Sequence, residues 1–129
     1  MQELIKEPIV RGARGIDIGS GSGYDTCIMA RDNPDTQIFS VDISDGIYIT
    51  NRLTKDLSNV YPVKASALNV PFKDAIFDFV YSFGVLHHTD DPRRGLMEMN
   101  RVLKHDCPAF LYLYDDHSEN MIKFILLKV

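Results

Sequence analysis

This chain of 129 residues has very little cysteine and no surplus of positive charge, and both facts remove classes of function. Its two cysteines, Cys27 and Cys107, form neither a Cys-x-x-Cys pair nor a metal-ligand spacing, so we expect two reduced thiols. Lysine and arginine number 14 against 18 aspartates and glutamates, which gives a formal charge of −4. A basic footprint is therefore lacking, and the sequence predicts no nucleic-acid partner.

The sequence also lacks long apolar runs. The apolar stretch Ile122–Val129 is interrupted by lysine and is far shorter than the ~20 residues that cross a bilayer. The opening segment Met1–Glu7 mixes charges and has no signal-peptide core. No repeat, low-complexity tract or linker divides the chain. We therefore expect a single domain over residues 1–129 in the cytoplasm, with no membrane partner.

What the chain does have is a regular alternation of strand and helix patterns. The predicted strands are Arg14–Ile18, Gln37–Val41, Val60–Ala65, Phe77–Ser82 and Ala109–Asp115. The predicted helices are Tyr24–Asp32, Asp45–Leu57, one capped by Asp91 with Pro92 at its first position, and one that begins at Ser118. Such alternation implies parallel strands joined by crossover helices. The predicted fold class is therefore an α/β, open, doubly wound, mostly parallel sheet of about five strands.

The most informative segment is Gly15-Ile-Asp-Ile-Gly-Ser-Gly-Ser-Gly23. It begins in the first predicted strand and continues as a glycine-rich loop from Gly19 to Gly23. Glycines let this backbone turn tightly and approach a ligand closely, and the helix behind the loop offers unpaired N–H groups. Asp17 stands two residues before the first glycine of the loop, where its charge would repel a pyrophosphate. The G-x-G-x-G spacing with an acid on the strand therefore suits a ligand with a cationic end.

Four segments, in their order and spacing, resemble the class I S-adenosylmethionine-dependent methyltransferases, and in particular the small-molecule group that includes the ubiquinone and menaquinone C-methyltransferases. The segments are Ile16–Gly23, Phe39–Ser44, Val70–Val80 running on to Leu86–Pro92, and Asn100–Lys104. The resemblance runs from about Ala13 to about Asp115. It implies a Rossmann-like fold, S-adenosylmethionine as cofactor and methyl transfer to a small-molecule acceptor.

The resemblance also implies a cofactor site beyond the carboxyl ends of the strands. Asp17 would help to hold the methionine ammonium, directly or through water, with capping of the loop N–H groups as the alternative. Asp42 would accept the ribose hydroxyls, with a helix N-cap shared with Ser44 as the alternative, and Ile43 would pack on the adenine. The full predicted set is Asp17, Gly19, Ser20, Gly21, Gly23, Asp42, Ile43, Ser66, Ala67, Leu68 and Ser82.

The chain departs from the family pattern at two places. Ser66 stands where similar proteins usually carry an acid that bonds the adenine amino group. A serine accepts a hydrogen bond without charge, and Ala67 and Leu68 present backbone groups, so we expect weaker cofactor binding. The segment His105-Asp-Cys107 replaces a Pro-Gly-Gly turn, and that turn forms less readily without glycine.

The segment Ser82–His88 would line the methyl-transfer chamber. His87 and His88 point in different directions and lack a third ligand, so we expect no metal. A general-base role for one of them is the weak catalytic candidate, with pocket lining as the alternative. Tyr81-Ser-Phe-Gly84 is not the Asn/Asp-Pro-Pro-aromatic motif of enzymes that methylate base amines or glutamine, which favours a small-molecule acceptor.

Two other functions remain open at this point. The first is a nicotinamide-dependent oxidoreductase, although Asp17 and the loop spacing count against it. The second is a degenerate or partial methyltransferase fold that serves binding or assembly without activity, which Ser66 and the altered turn favour.

The end of the chain carries its own expectations. After a fifth strand near Asp115 the sequence leaves no room for the antiparallel hairpin of the resembling domains. We therefore expect a truncated five-stranded sheet, a final helix that carries the apolar segment Ile122–Leu127, and an open edge on the fifth strand. Such an edge favours homo-oligomerisation. We also expect low or absent methyl transfer by this piece alone.

Overall fold

The computed structural model describes residues 12–113 and 123–124 of the protein. Its strands are β1 (Arg14–Ile18), β2 (Gln37–Asp42), β3 (Val60–Lys64), β4 (Phe79–Phe83), β5 (Ala109–Leu113) and β6 (Lys123–Phe124). Its helices are α1 (Tyr24–Asp32), α2 (Gly46–Leu53) and α3 (Pro92–Val102), with a short 3-10 helix at Leu86–His88. The strands form one sheet in the order β3-β2-β1-β4-β5-β6, in which the first five strands are parallel. The predicted α/β fold class is confirmed.

The strand order reverses between β1 and β4, and this reversal opens a crevice at their carboxyl ends. In the register of the sheet Asp17 lies opposite Ser40 of β2 and opposite Tyr81 of β4. Side chains alternate across a strand, so these three side chains face the same side of the sheet. The register therefore brings one acid and two hydroxyl groups together next to α1.

Buried apolar clusters cover both faces of the sheet. On one face, Ile16 and Ile18 of β1 pack with Met99 and Val102 of α3. On the other face, the main cluster places Met29 of α1 against side chains of β2 and β4, Ile38, Phe79 and Tyr81 among them. Because β1 and β4 lie between packed helices, the crevice stands on a rigid base.

The predicted bounds of β1 and α1 match the structure residue for residue. Helix α2 spans Gly46–Leu53 instead of the predicted Asp45–Leu57; its C-cap Thr54 donates from both N–H and hydroxyl to the Thr50 carbonyl, at 3.0 and 2.8 Å, and a turn closed by the Leu57 N–H and the Thr54 carbonyl follows. Strand β4 begins at Phe79 instead of Phe77, since Phe77 forms only an isolated bridge with Leu103. The differences are confined to element ends.

The final helix expected over Ile122–Leu127 is wrong at Lys123–Phe124, which form β6. This short strand pairs antiparallel with β5, with Tyr112 opposite Phe124 and Leu113 opposite Lys123. The expected open edge of β5 is therefore wrong at these positions, because the edge is paired there. Backbone pairing outweighed the apolar composition on which the helix was predicted. Tyr114, Asp115 and Ser118 lie outside the described residues.

The turn at His105-Asp-Cys107 forms without the glycine of the family pattern. Asp106 adopts a left-handed conformation, with φ +58°. Aspartate tolerates this region better than most residues, because its short side chain bonds locally. Aspartate in place of the family's glycine therefore strains the turn mildly and leaves β5 in place.

Candidate functional site

The glycine loop joins β1 to α1 and is tied to β2 by its backbone. The N–H groups of Gly19 and Ser20 both donate to the Val41 carbonyl, at 2.7 and 3.0 Å. The next N–H in the loop, that of Gly21, donates to Asp42 Oδ2 at 2.8 Å. Asp17 therefore does not cap these N–H groups, and the capping alternative for it is wrong.

Two glycines of the loop have different physical reasons to be glycine. Gly21 has φ +57°, and a Cβ built there would meet nothing within 4 Å. Gly23 has φ +80°, and a Cβ there would lie 2.3 Å from Thr50 Oγ1. Gly23 thus permits close packing of the loop on α2, whereas Gly21 faces open space that a ligand can enter.

Asp42 ends β2 and has three hydrogen bonds. Its Oδ2 accepts from Gly21, and its Oδ1 accepts from the Ser44 N–H at 2.7 Å and from the Ser44 hydroxyl at 2.6 Å. The helix N-cap of α2 is Asp45, so Asp42 stabilises the turn before the helix instead of capping it. A carboxylate has about four lone-pair positions, which leaves about one for a further donor. Both ribose hydroxyls would fit only if the Ser44 hydroxyl turned away.

Asp17 is a buried acid, with 2% of its surface exposed. Its Oδ2 accepts a hydrogen bond from the Thr26 hydroxyl at 2.6 Å, and that hydroxyl lies 3.1 Å from Ser40 Oγ. Burial raises the pKa of Asp17 from 3.8 to about 7; the Thr26 hydrogen bond opposes this rise, and the charges of Asp25 and Asp42 add to it. A cation beside Asp17 would favour its ionised form.

A cavity of about 280 Å³ opens at the carboxyl ends of β1 and β4. It is lined by the glycine loop, by the first turn of α1 and by β4, specifically Asp17, Gly19, Ser20, Gly21, Ser22, Tyr24, Asp25, Tyr81 and Phe83. Two of these side chains are acidic and none is basic. The Ser20 hydroxyl is buried with no hydrogen-bond partner among the described residues. The cavity therefore combines negative charge with an unused hydroxyl group.

The segment after β3 lies beside Asp42 in the order of the sheet. The Ser66 hydroxyl accepts from the Leu68 N–H at 3.1 Å, so it stabilises a local turn. Arg94 of α3 donates from Nε to the Leu68 carbonyl at 2.8 Å. Ser66, Ala67 and Leu68 are half-buried and stand in a turn held by α3.

The same helix holds the next part of this segment through an arginine. The guanidinium of Arg101 donates to both carboxylate oxygens of Glu98, to Asp74, and to the carbonyls of Val70 and Phe72, at 2.7–2.9 Å. Glu98 in turn accepts from the Val70 N–H at 2.7 Å. The Arg101 hydrogen bonds hold the pKa of Glu98 below its usual value. This network fixes the loop that leads into β4.

Several predicted site residues lie away from the cavity. Ser82 is 1% exposed and does not line it, although Tyr81 and Phe83 on either side do. His87 and His88 sit on the 3-10 helix with their ring centroids 3.9 Å apart, and neither lines the cavity. Ile43 follows β2 with 67% of its surface exposed. Of the predicted cofactor residues, the cavity brings together Asp17, Gly19, Ser20 and Gly21, and of the predicted chamber segment Ser82–His88 only Phe83 lines it. The remaining predicted residues, namely Gly23, Asp42 and the segment 66–68, also lie outside its lining.

Phe83 belongs to the predicted chamber segment, but five residues of the cavity region were not predicted from the sequence: Thr26, which bonds to Asp17, and the lining residues Ser22, Tyr24, Asp25 and Tyr81. The available signals were weak. Asp25 lies in the first turn of a helix, where acids are common for reasons of the helix dipole alone. The alternation along β4 showed that Tyr81 and Ser82 face opposite sides, but not which side faces the ligand.

Within residues 12–113 and 123–124, no three His, Cys, Asp or Glu side chains come together in a way that would hold a metal ion. None of the helices described there is long and apolar enough to cross a membrane. Cys27 and Cys107 are both free thiols. The absence of a metal remains a prediction.

Comparison with known protein families gives one match that spans most of the fold. Residues 16–111 match the family described as a methyltransferase domain. These residues include the glycine loop, Asp42, the Arg101 network and most of β5.

Individual proteins are similar as well. The chain is 34% identical to demethylmenaquinone methyltransferase of Staphylococcus saprophyticus over 107 residues, and this match covers 80% of this chain and 46% of that protein. It is 35% identical over 92 residues to tRNA (carboxymethyluridine(34)-5-O)-methyltransferase of Saccharomyces cerevisiae, which covers 71% and 31%. The chain thus spans less than half the length of these relatives. Among solved structures, the [4+2]-cyclase SpnF superposes with a TM-score of 0.79 at 28% identity over 86% of this chain and 43% of that one.

Proposed function

This chain belongs to the family of S-adenosylmethionine-dependent methyltransferases, and on that premise we propose that it binds this cofactor at the carboxyl ends of β1 and β2 and transfers its methyl group to a small-molecule acceptor. The observation that carries the proposal is the acidic cavity beside Gly21. A Cβ at Gly21 would project into open space, and the cavity has two carboxylates but no basic side chain among its lining residues. A ligand that carries an ammonium and a sulfonium group fits this charge.

The volume of the cavity bears on how the cofactor would lie. Sites for drug-sized ligands usually measure ≈ 300–1,000 Å³, and this cavity measures about 280 Å³. The amino-acid arm would therefore occupy the cavity above Asp17. The ribose would lie over Asp42, and the adenine would cover the exposed side chain of Ile43 next to the Ser66–Leu68 turn.

The residues of the chain would act mainly by position. When bound, S-adenosylmethionine supplies a methyl group on a sulfonium, and that methyl passes to the acceptor nucleophile as the neutral thioether leaves. The glycine loop, Asp42 and Asp17 would fix the direction of the carbon–sulfur bond. Alignment of two reactants alone can contribute ~7–11 kcal/mol in favourable cases. No nucleophile from the protein is needed, and His87 or His88 would serve as a base only for an acceptor that must lose a proton.

For the acceptor, two relatives point to two classes. The demethylmenaquinone methyltransferases favour a quinone-like ring, and we propose this class first because the chain has a net charge of −4. The yeast tRNA methyltransferase favours the carboxylate of a modified uridine as the second candidate. Incubation with S-adenosylmethionine radiolabelled in its methyl group and either a demethylated quinone reduced to its quinol or tRNA that carries 5-carboxymethyluridine, followed by extraction into organic solvent or acid precipitation, separates the two.

A third possibility is a methyltransferase fold that binds without methylating. It is favoured by one finding, namely that a solved structure with the same fold is a [4+2]-cyclase. Thermal shift tests whether the chain binds the cofactor, and the labelling assay tests whether it methylates an acceptor. We expect S-adenosylhomocysteine to raise the melting temperature by several degrees and NAD to leave it unchanged. A shift without any turnover would support the third possibility, whereas no shift would contradict the cofactor proposal.

A further inference from the structure

The two acids that line the cavity differ in burial and in hydrogen bonding, and this difference bears on how a cationic group is bound. Asp17 is 2% exposed at the bottom of the cavity, and its Oδ2 already accepts a 2.6 Å hydrogen bond from Thr26. Burial raises the pKa of Asp17 to about 7, so near neutral pH it carries only part of a charge. Asp17 is therefore a poor direct partner for an incoming ammonium group.

Asp25 is placed differently. It stands half-buried in the first turn of α1 and lines the same cavity. Its Oδ2 accepts a hydrogen bond from the Tyr81 hydroxyl at 3.1 Å, whereas its Oδ1 accepts none from the described residues. A carboxylate with one oxygen oriented and the other available is prepared for a charge-assisted hydrogen bond.

The orienting residue, Tyr81, is itself held firmly. It is 5% exposed, lies opposite Asp17 in the sheet register and packs beside Phe83, with the two ring planes 5° apart. Phe83 stacks in turn on Tyr112 at 4.3 Å. The phenol therefore has little freedom, and its hydroxyl orients the Asp25 carboxylate in the lining of the cavity.

We propose that Asp25, oriented by Tyr81, makes the direct ion pair with the ammonium group of the cofactor's amino-acid arm, and that Asp17 acts behind it through water or at longer range. This inference rests on the proposed function and assigns a positioning contact in the same site. It predicts that ligand selectivity for the amino-acid arm depends on Asp25 first.

The test compares two ligands that differ only in that arm. S-adenosylhomocysteine carries the ammonium group, whereas 5′-methylthioadenosine keeps the adenosine and the thioether without it. Calorimetric affinities for both would be measured on the intact chain and on Asp25→Asn, which still accepts the Tyr81 hydrogen bond. The matched control is Asp32→Asn, an exposed acid at the other end of α1.

We expect Asp25→Asn to weaken S-adenosylhomocysteine at least tenfold and to leave 5′-methylthioadenosine within twofold. Tyr81→Phe should weaken only the first ligand, and by less, while Asp32→Asn should change neither. An equal loss of both ligands in Asp25→Asn, or no loss, would overturn the assignment, as would an arm-selective loss seen only in Asp17→Asn. If the unaltered chain binds neither ligand, the proposed function itself fails, and this inference fails with it.

Discussion

Asp17 shows how a single residue links stability to the proposed site. Its carboxyl is fully enclosed, and its pKa of about 7 in the folded protein lies above its unfolded value of 3.8. Between these values the folded protein binds more protons than the unfolded chain, so the free energy of unfolding falls as pH rises from about 4 to about 7. A buried acid whose pKa is raised in this way is typical of functional sites.

The substitution Asp17→Asn should remove this dependence. At pH 8 it should raise the free energy of unfolding by on the order of 2–4 kcal/mol, because no buried charge has to be kept. At pH 4 it should change little, since the native side chain is then neutral. Urea unfolding at both pH values measures the effect. Equal stability of variant and parent at pH 8 would contradict the raised pKa.

A second residue-scale prediction concerns backbone strain. Ala75 has φ +52° although its side chain is exposed and has no polar group to compensate. A non-glycine residue in the left-handed region costs roughly 1–2 kcal/mol of stability. Glycine avoids this cost but destabilises the folded state by ~0.4–1 kcal/mol, because it raises the conformational entropy of the unfolded chain. Ala75→Gly should therefore stabilise the chain by about 0.5–1 kcal/mol. Ala30→Gly inside α1 is the control and should destabilise by about 1 kcal/mol. A loss of stability in both variants would rule out strain at Ala75.

At the scale of elements, the glycine loop has a packing role at Gly23 and the proposed binding role at Gly21. A Cβ at Gly23 would collide with Thr50, whereas a Cβ at Gly21 would project into open space. Gly23→Ala should therefore destabilise the chain by about 2–4 kcal/mol through strain and overpacking.

Gly21→Ala should destabilise it by only about 1–2 kcal/mol and yet reduce S-adenosylhomocysteine affinity at least tenfold. Thermal unfolding and calorimetry on the two variants give this comparison. Normal ligand affinity in a folded Gly21→Ala protein would place the ligand elsewhere.

The second element-scale feature is the Arg101 network, which joins α3 to the loop before β4. Arg101 donates five hydrogen bonds and has 30% of its side chain exposed. Lysine keeps the charge but loses the planar fork, so Arg101→Lys should destabilise by about 1–3 kcal/mol. Arg93→Lys, exposed on the same helix, should change stability by less than about 0.5 kcal/mol. Equal effects in the two variants, measured by chemical denaturation, would show that the Arg101 network does not stabilise the fold.

At the scale of the whole molecule, sequence periodicity was sufficient to predict the five parallel strands, and the ligand site is proposed at their carboxyl edge. Strongly patterned segments such as β1 and α1 were predicted to the residue, because local propensity and burial agree there. Asp42 was placed correctly at the end of β2, but its bonds to Gly21 and Ser44 depend on three-dimensional proximity that spacing does not encode.

The errors have a common physical origin in long-range contacts. Lys123–Phe124 was predicted as helix from composition, and pairing with β5 decided otherwise. Asp25 and Tyr81 are 56 positions apart in the chain, so their hydrogen bond follows only from the β1–β4 register and the direction of α1. Ser82 was predicted in the site because it ends the fourth predicted strand, but the alternation of side chains along β4 turns it to the other face of the sheet.

The measurement that tests the central claim most directly is a calorimetric titration of S-adenosylhomocysteine into the protein and into Asp42→Ala. Ser44→Ala serves as the control, because it removes one hydrogen bond to Asp42 but leaves the carboxylate. We predict saturable one-to-one binding to the unaltered chain and to Ser44→Ala. Asp42→Ala should weaken it by about 1–3 kcal/mol, the range for loss of hydrogen bonds to a charged group. Unchanged affinity in Asp42→Ala, or no binding to the unaltered protein, would contradict a cofactor site at the ends of β1 and β2.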